Sequence, residues 1–357
     1  MHAVLLVGGE GTRLRPLTDN QPKPMLSLVD RPFINHQLDH LKRHGVTDVI
    51  LSCGYLPDVV ERFFRDGRAF GMRITYVVDP FPLGTAGAVK NAEAHLGREP
   101  FFVFNGDILT DLDLTALRDA HVASGAHGTI ALTPVEDPSA FGLVRLNPDR
   151  SVEAFLEKPS RDMLRPGEPF NINAGTYLLG PEVLAAIPSG EKCSIERDTF
   201  PIVAARGALY GYPSDAYWRD IGTHRSYLEA HHDLLAGIVT TESPTGDRYL
   251  GPAATIAAGA TVGGHSSIGP GCAIANGARV VGSVLGRGVR VGRGANVTGA
   301  IVGDGARLDE GCVVEAGAVI GGGARVAAGG RVLSGAIVAT GDQVSPGREV
   351  TAAAGPA

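Results

Sequence analysis

The sequence has few lysines, cysteines and tryptophans: 5 Lys against 27 Arg, four Cys and one Trp in 357 residues. The cysteines, Cys53, Cys193, Cys272 and Cys312, lie far apart and form no CxxC or Cys/His spacing. That excludes a disulfide framework and a zinc ribbon, and it reads as the reduced thiols of a cytoplasmic chain. No apolar run approaches the roughly 20 residues that a membrane-spanning helix needs. The first one, residues 3–7, also lacks the basic flank and cleavage site of a signal peptide. A formal charge of −6 argues against nucleic-acid recognition through net positive charge, although a local basic pocket stays open. The 49 glycines lack a third-position period, so collagen is excluded, and 44% hydrophobic residues exclude wholesale disorder.

What is present is unevenly placed. Residues 247–357 hold 26 of the glycines, no lysine and one of the 21 aromatics, Tyr249. They carry +2, so the first 246 residues carry −8. Within the glycine-rich part, aliphatic residues recur every six positions at Ile256, Val262, Ile268, Ile274 and Val280. The frame slips by one, resumes at Leu285, Val291 and Val297, slips again, and runs from Val302 to Val344. A period of six fits neither a helix nor simple strand alternation. It fits a solenoid whose short faces each send one aliphatic residue into a narrow interior, with glycine at the corners. At roughly 18 residues per coil this predicts about four to five coils.

The first part alternates between the two periods. The pattern predicts strands at 2–7, 48–52, 73–78 and 101–104, with helices at 32–44, 57–65 and 87–95. Such an order implies a Rossmann-like, mainly parallel α/β sheet with ligands at the carboxyl ends of its strands. The division expected is a catalytic domain over 1–236, a linker at 237–250, a β-helix over 251–346 and a disordered tail at 347–357.

Several segments could carry chemistry. The first strand runs into Gly8-Gly9-Glu10-Gly11-Thr12-Arg13. This is neither GxGxxG nor GxxxxGK[ST], so the dinucleotide and P-loop fingerprints fail. By itself the turn suits a tight corner as well as a phosphate cradle. Lys23 stands between Pro22 and Pro24, which stiffen the backbone around it. It is either an exposed loop lysine or a cation aimed at a fixed anion. Asp107 is either a turn residue or a ligand, and Asp220 either caps a helix at 223–235 or binds a cation. His231 and His232 read as solvated, and His265 as a surface residue of the solenoid.

The combination is more specific than its parts. Gly8-Gly9-x-Gly11-Thr12-Arg13-Leu14-x-Pro16, followed by Pro22-Lys23-Pro24, resembles the signature of the sugar-1-phosphate nucleotidyltransferases. Phe104-Asn105-Gly106-Asp107 and Trp218-Arg219-Asp220 resemble that family's metal elements. Phe155-Leu156-Glu157-Lys158-Pro159 and Ile172-Asn173-Ala174-Gly175 resemble its sugar-phosphate and sugar elements. Residues 82–88 and 194–197 look most like the mannose-1-phosphate guanylyltransferases that carry a C-terminal hexapeptide-repeat domain, a left-handed parallel β-helix. Ser27 departs from the pattern, standing where such enzymes often carry a proline.

The resemblance implies Mg²⁺-dependent transfer of a nucleotidyl group from a nucleoside triphosphate to a sugar 1-phosphate, with GTP and mannose 1-phosphate as the pair. Asp107 and Asp220 would hold Mg²⁺. Arg13 and Lys23 would face the departing pyrophosphate, and Lys158 the attacking sugar phosphate. Gly8, Gly9, Gly11, Thr12, Asn105 and Gly106 would line the nucleotide, with Gly54, Tyr55, Gly84 and Thr85 near the base. Glu157 and Asn173 would contact the sugar and its phosphate, with Gly142 and Gly175 offering backbone groups. Neither nucleic acid nor membrane is expected as a partner, and a homo-oligomer through the β-helix is. Glucose or heptose 1-phosphate with GTP, dTTP, UTP or ATP stays open as the substrate pair. So does a catalytically silent sensor of nucleotide-sugars, and, on His265, an acyltransferase site in the solenoid.

Overall fold

The computed structural model describes residues 1–165 and 167–352. They form two compact units that cross the linear division. One contains residues 1–10 and 37–218, the other residues 11–36 and everything from Arg219 onward.

The first unit is built on a nine-stranded sheet. His2–Leu6 pairs in parallel with Asp48–Cys53 on one side and Phe101–Asn105 on the other, and Asp48–Cys53 pairs in parallel with Arg73–Val78. Ala3, Val4 and Leu5 are fully buried. Such a strand, covered on both faces, reads as an unbroken apolar run rather than an alternation. Beyond Phe101–Asn105 the sheet turns antiparallel through Asn171–Leu179, which carries Gly128–Pro134 and Gly142–Leu146, and then Val152–Glu157. The expected helix at 87–95 starts earlier, as Gly84–Asn91, and ends in a separate 3₁₀ turn at Glu93–His95.

The second unit contains the solenoid, a left-handed β-helix-like stack of three parallel six-stranded sheets. Interior residues stack in register: Ile256, Ile274, Val291, Leu308, Val326 and Val344 form one column. Ile274 to Val291 and Val291 to Leu308 are coils of 17 residues where the others have 18, which is the origin of the two frame slips. Six strands per face make six coils, more than the four to five expected. The first coil begins with Arg248–Leu250, inside the expected linker, and the last ends with Glu349–Val350, inside the expected tail. Leu250 and Val350 nevertheless keep the phase, six residues before Ile256 and six after Val344. The remainder of that tail, 353–357, lies outside the described residues.

The same unit holds the helix His224–Ala236. Its N-cap is Thr223, in a capping box with Ser226, and Gly237 closes it in the left-handed conformation. The helix does not need Asp220 as a cap. Among the described residues no helix is long and apolar enough to cross a membrane.

Candidate active site

In the first unit, sheet order reverses about His2–Leu6: the chain adds Asp48–Cys53 and Arg73–Val78 on one side before returning to add Phe101–Asn105 on the other. Such a switch point opens a crevice at the carboxyl ends of the strands. Three loops leave those ends in backbone contact. A Cβ on Gly54 would lie 2.8 Å from the Gly8 carbonyl, and one on Gly106 only 2.3 Å from the Leu6 carbonyl. The Gly106 N–H donates to that same Leu6 oxygen at 3.0 Å. Gly9 differs, because a Cβ there would meet nothing within 4 Å. Its bare backbone faces open space.

The turn bearing Asp107 is held from below. Gln37 Nε2 donates to the carbonyls of Asn105 and Ile108 at 2.9 and 3.0 Å. Gly175, at φ +68°, presses on the Asn105 side chain, which a Cβ would approach to 2.7 Å. The Asn105 Oδ1 is buried without a partner. An orphaned acceptor of this kind has an unmet demand for a donor at the rim of the crevice.

Beside it lies an open pocket of about 310 Å³, lined by Gly142, Glu157 and Asn173 of the antiparallel strands and by Thr85 and Glu196 from the helical segments Gly84–Asn91 and Ile195–Thr199. A relay of hydrogen bonds fixes its wall. Asn173 Nδ2 donates to the Tyr177 hydroxyl at 2.8 Å, and that hydroxyl donates to Glu196 Oε1 at 3.3 Å. The Thr85 and Ser194 hydroxyls both donate to Glu196 Oε2 at 2.8 Å. Burial, then the Glu196 charge, pushes the Tyr177 phenol well above the usual tyrosine range, so it stays a donor. Arg197 reaches Glu157 at 3.5 Å, and a Cβ on Gly142 would strike the Phe155 ring and come within 3.2 Å of the Glu157 carboxylate.

In the second unit the signature loop continues from Gly11, at φ +64°. Its carbonyl accepts from the Thr18 hydroxyl at 2.9 Å, and a Cβ there would sit 3.0 Å from that of Lys23. Lys23 is 9% exposed in its side chain, so it needs a nearby counter-charge. Asp220 supplies it: its carboxylate lies 3.9 Å from both Lys23 Nζ and the Arg13 guanidinium and accepts from the Gly222 N–H at 2.6 Å. Lys23 is therefore not an exposed loop lysine, nor Asp220 a helix cap. Arg13 remains two-thirds exposed, with charge to offer a ligand.

Residues 2–237 match the family described as Nucleotidyl transferase, and residues 245–351 match the GMPPB C-terminal domain. The chain belongs to the nucleotidyl transferase family. It is 40% identical over 291 residues to a protein of Mycobacterium tuberculosis named mannose-1-phosphate guanylyltransferase, covering 79% of each chain. It is 37% identical to mannose-1-phosphate guanylyltransferase 1 of Arabidopsis thaliana, over 78% of this chain and 80% of that one. The fold is similar to a crystal structure of HddC from Yersinia pseudotuberculosis, with TM-score 0.56, 28% identity, and coverage of 64% of this chain and 97% of that one. It is similar also to a putative glucose-1-phosphate thymidylyltransferase from Bacillus anthracis, with TM-score 0.59, 27% identity, and coverage of 68% and 98%.

The residues of this nucleotidyl transferase fit a divalent cation of the hard, oxygen-seeking kind. Among the described residues no group of three or more His, Cys, Asp or Glu forms a protein cage. Mg²⁺ ordinarily takes one or two carboxylates and completes its shell with phosphate oxygens and water, so no larger protein cage is needed. Asp107 is half-buried in the first unit and Asp220 lies in the second.

Of the residues expected from sequence, Thr85, Gly142, Glu157 and Asn173 share the cavity, and Gly8, Gly54, Asn105, Gly106 and Gly175 share the crossing of loops. Arg13, Lys23 and Asp220 form the charged cluster. Gly84 makes its close approach to the Cys193 carbonyl, within the protein, and Lys158 is exposed outside the cavity lining at φ +50°. Sequence reasoning passed over Glu196 as a site residue, although residues 194–197 stood out as a motif. It also passed over Gln37, whose one signal is a polar residue on the apolar face of its helix. His231 and His232, expected to be solvated, are not. His231 is 1% exposed and its Nδ1 accepts from the Val29 N–H at 3.2 Å, while His232 Nε2 lies 3.1 Å from the Gly282 carbonyl oxygen.

Proposed function

We propose that this nucleotidyl transferase joins GTP and mannose 1-phosphate to give GDP-mannose and pyrophosphate, with Mg²⁺ as cofactor and in the cytoplasm. The observation that carries the reaction class is the crossing of bare backbone at the switch point, where Gly8, Gly54 and Gly106 keep side chains away from space that a phosphate chain needs. The choice of GTP and mannose 1-phosphate is supported by the names of the relatives and by a polar cavity of hexose size lined by Glu157, Asn173 and Glu196.

In this reading a phosphate oxygen of the sugar attacks the α-phosphorus, a P–O bond forms, and the bond to the bridging β oxygen breaks as pyrophosphate leaves. The attacking group is already an anion at neutral pH, so no general base is required. What the chain supplies is position and positive charge. Arg13 and Lys23 stabilise charge on the departing pyrophosphate, and Lys158 screens the incoming phosphate. Gly9 and Thr12 offer backbone groups to the triphosphate, and Tyr55 belongs near the base, whereas Thr85, expected near the base, lines the sugar cavity. Gly142, Gly175, Glu157 and Asn173 hold the sugar. Asp107 and Asp220 are the carboxylates for Mg²⁺, which when bound neutralises phosphate oxygens. The β-helix is the expected contact of a homo-oligomer, which sedimentation of the full chain measures. Purified protein given GTP, mannose 1-phosphate and Mg²⁺ releases pyrophosphate if the reading is right, and binds without release if it is a silent sensor.

A further inference from the structure

The loop bearing Arg13 and Lys23 is fastened to the solenoid at both of its ends. Toward its end the segment 11–36 meets an early coil, where the Ser267 hydroxyl donates to the Val29 carbonyl at 3.4 Å. Nearer the signature it meets the last coil, where the Thr340 hydroxyl lies 2.7 Å from Asp19 Oδ2 and 3.4 Å from the Pro16 carbonyl. Ser267 lies on Ser266–Ile268 and Thr340 just past Ile337–Val338, four strands on in the same face, or about 19 Å at about 4.8 Å per strand. The loop is thus stretched along one edge of a rigid stack.

From Thr340 the connection to the cationic groups is short. The Asp19 N–H donates to the Pro16 carbonyl at 3.3 Å, and the Leu17 N–H to the Leu14 carbonyl at 2.9 Å. Thr18, between them, donates its hydroxyl to the Gly11 carbonyl, and Gly11 packs against the Lys23 stem. Every link is one contact long, and the chain of contacts ends at the Asp220 carboxylate between Lys23 and Arg13.

Thr340 also holds an unusual place in the repeat. In the coils below, the residue just after each interior aliphatic of this face is Gly269, Gly286, Gly303 and Gly321, where a Cβ would clash with the backbone stacked next. In the last coil that position is Ala339, with no further strand of this face above it among the described residues. The terminal corner is therefore free of the stacking rule, and its next residue carries a hydroxyl aimed at the signature loop.

We propose that Thr340 is a positioning residue of the reaction: by holding Asp19 and the Pro16 carbonyl it sets where Arg13 and Lys23 meet the nucleotide's phosphates. The proposal rests on the reading that those two cations serve the triphosphate. A displacement of the loop then weakens nucleotide use and leaves the sugar cavity, built in the other unit, unaffected.

The test is steady-state kinetics of the full chain with GTP, mannose 1-phosphate and Mg²⁺. Thr340→Val should raise the KM for GTP by about three- to tenfold, the scale expected for a small misplacement of charged groups. The KM for mannose 1-phosphate and the Tm should stay put, and Thr340→Ser should restore the wild-type value. Asp19→Ala gives the same shift through the other side of the contact, and the double variant adds nothing further. Arg13→Ala and Lys23→Ala, run alongside, separate the two levels: if both are silent, the reading of the cations fails and the inference with it. If they cost activity while Thr340→Val and Asp19→Ala match the wild type, the positioning role alone is overturned. Equal rises in both KM values, or additive effects of the two variants, also overturn it.

Discussion

Single residues carry the chemistry, and their surroundings decide which ones. Asp107 follows a buried strand, sits on a turn held by Gln37 and Gly175, and is the carboxylate most directly presented by the parallel sheet. Asp107→Asn keeps the shape and removes the charge. It should lower turnover by about 100-fold, or roughly 2.7 kcal/mol of barrier, with an unchanged circular-dichroism spectrum. Near-wild-type rates at saturating Mg²⁺ would refute its metal role. His231 makes the opposite point. Burial, with the charge of His232 next, pushes its pKa down to about 3, and burial does the same for His40. Both are neutral when folded and take up a proton near the ordinary value of 6.5 when unfolded, so the unfolded chain binds more protons between those limits. Stability should fall as pH drops from 6.5 toward 4.5, and His231→Gln should flatten that slope. A Tm that does not change across this range would contradict the assignment.

Elements explain why these residues meet, and they also explain what the sequence hid. The six-residue period made the solenoid readable at once, because each interior position must be aliphatic. The end coils carry the period too, in Leu250 six residues before Ile256 and Val350 six after Val344, although their strands fall in the stretches expected as linker and tail. One further signal was present and unused. Val284, Ile301 and Val319 precede interior residues and are themselves buried, whereas the matching positions of another face are Arg290, Arg307 and Arg325. An outward aliphatic row marks a covered face. Asp220 was ambiguous because the true cap, Thr223 with Ser226, lies only three residues on. The corner glycines give a direct check: a Cβ on Gly303 would lie 2.7 Å from the Gly322 nitrogen. Gly303→Ala should destabilise the stack by about 1–3 kcal/mol, seen as a lower Tm in calorimetry. No change would mean the coils are looser than the contacts require.

At the scale of the molecule, the linear division of the chain is not its division in space. Composition placed a boundary near residue 237, yet residues 11–36, which hold Arg13 and Lys23, fold with the C-terminal part. Nothing in the local sequence announces this, because the segment's partners, Tyr227, His231, Ser267 and Thr340, lie some 200 to 320 residues away. A chain ending at residue 246 should therefore lose activity and expose residues 11–36 to protease, whereas an independent catalytic domain would keep both. Pyrophosphate release is to be followed across four nucleoside triphosphates and mannose, glucose and heptose 1-phosphates, with and without Mg²⁺. The prediction is rapid release with GTP and mannose 1-phosphate that requires Mg²⁺; no release with any pair would contradict it.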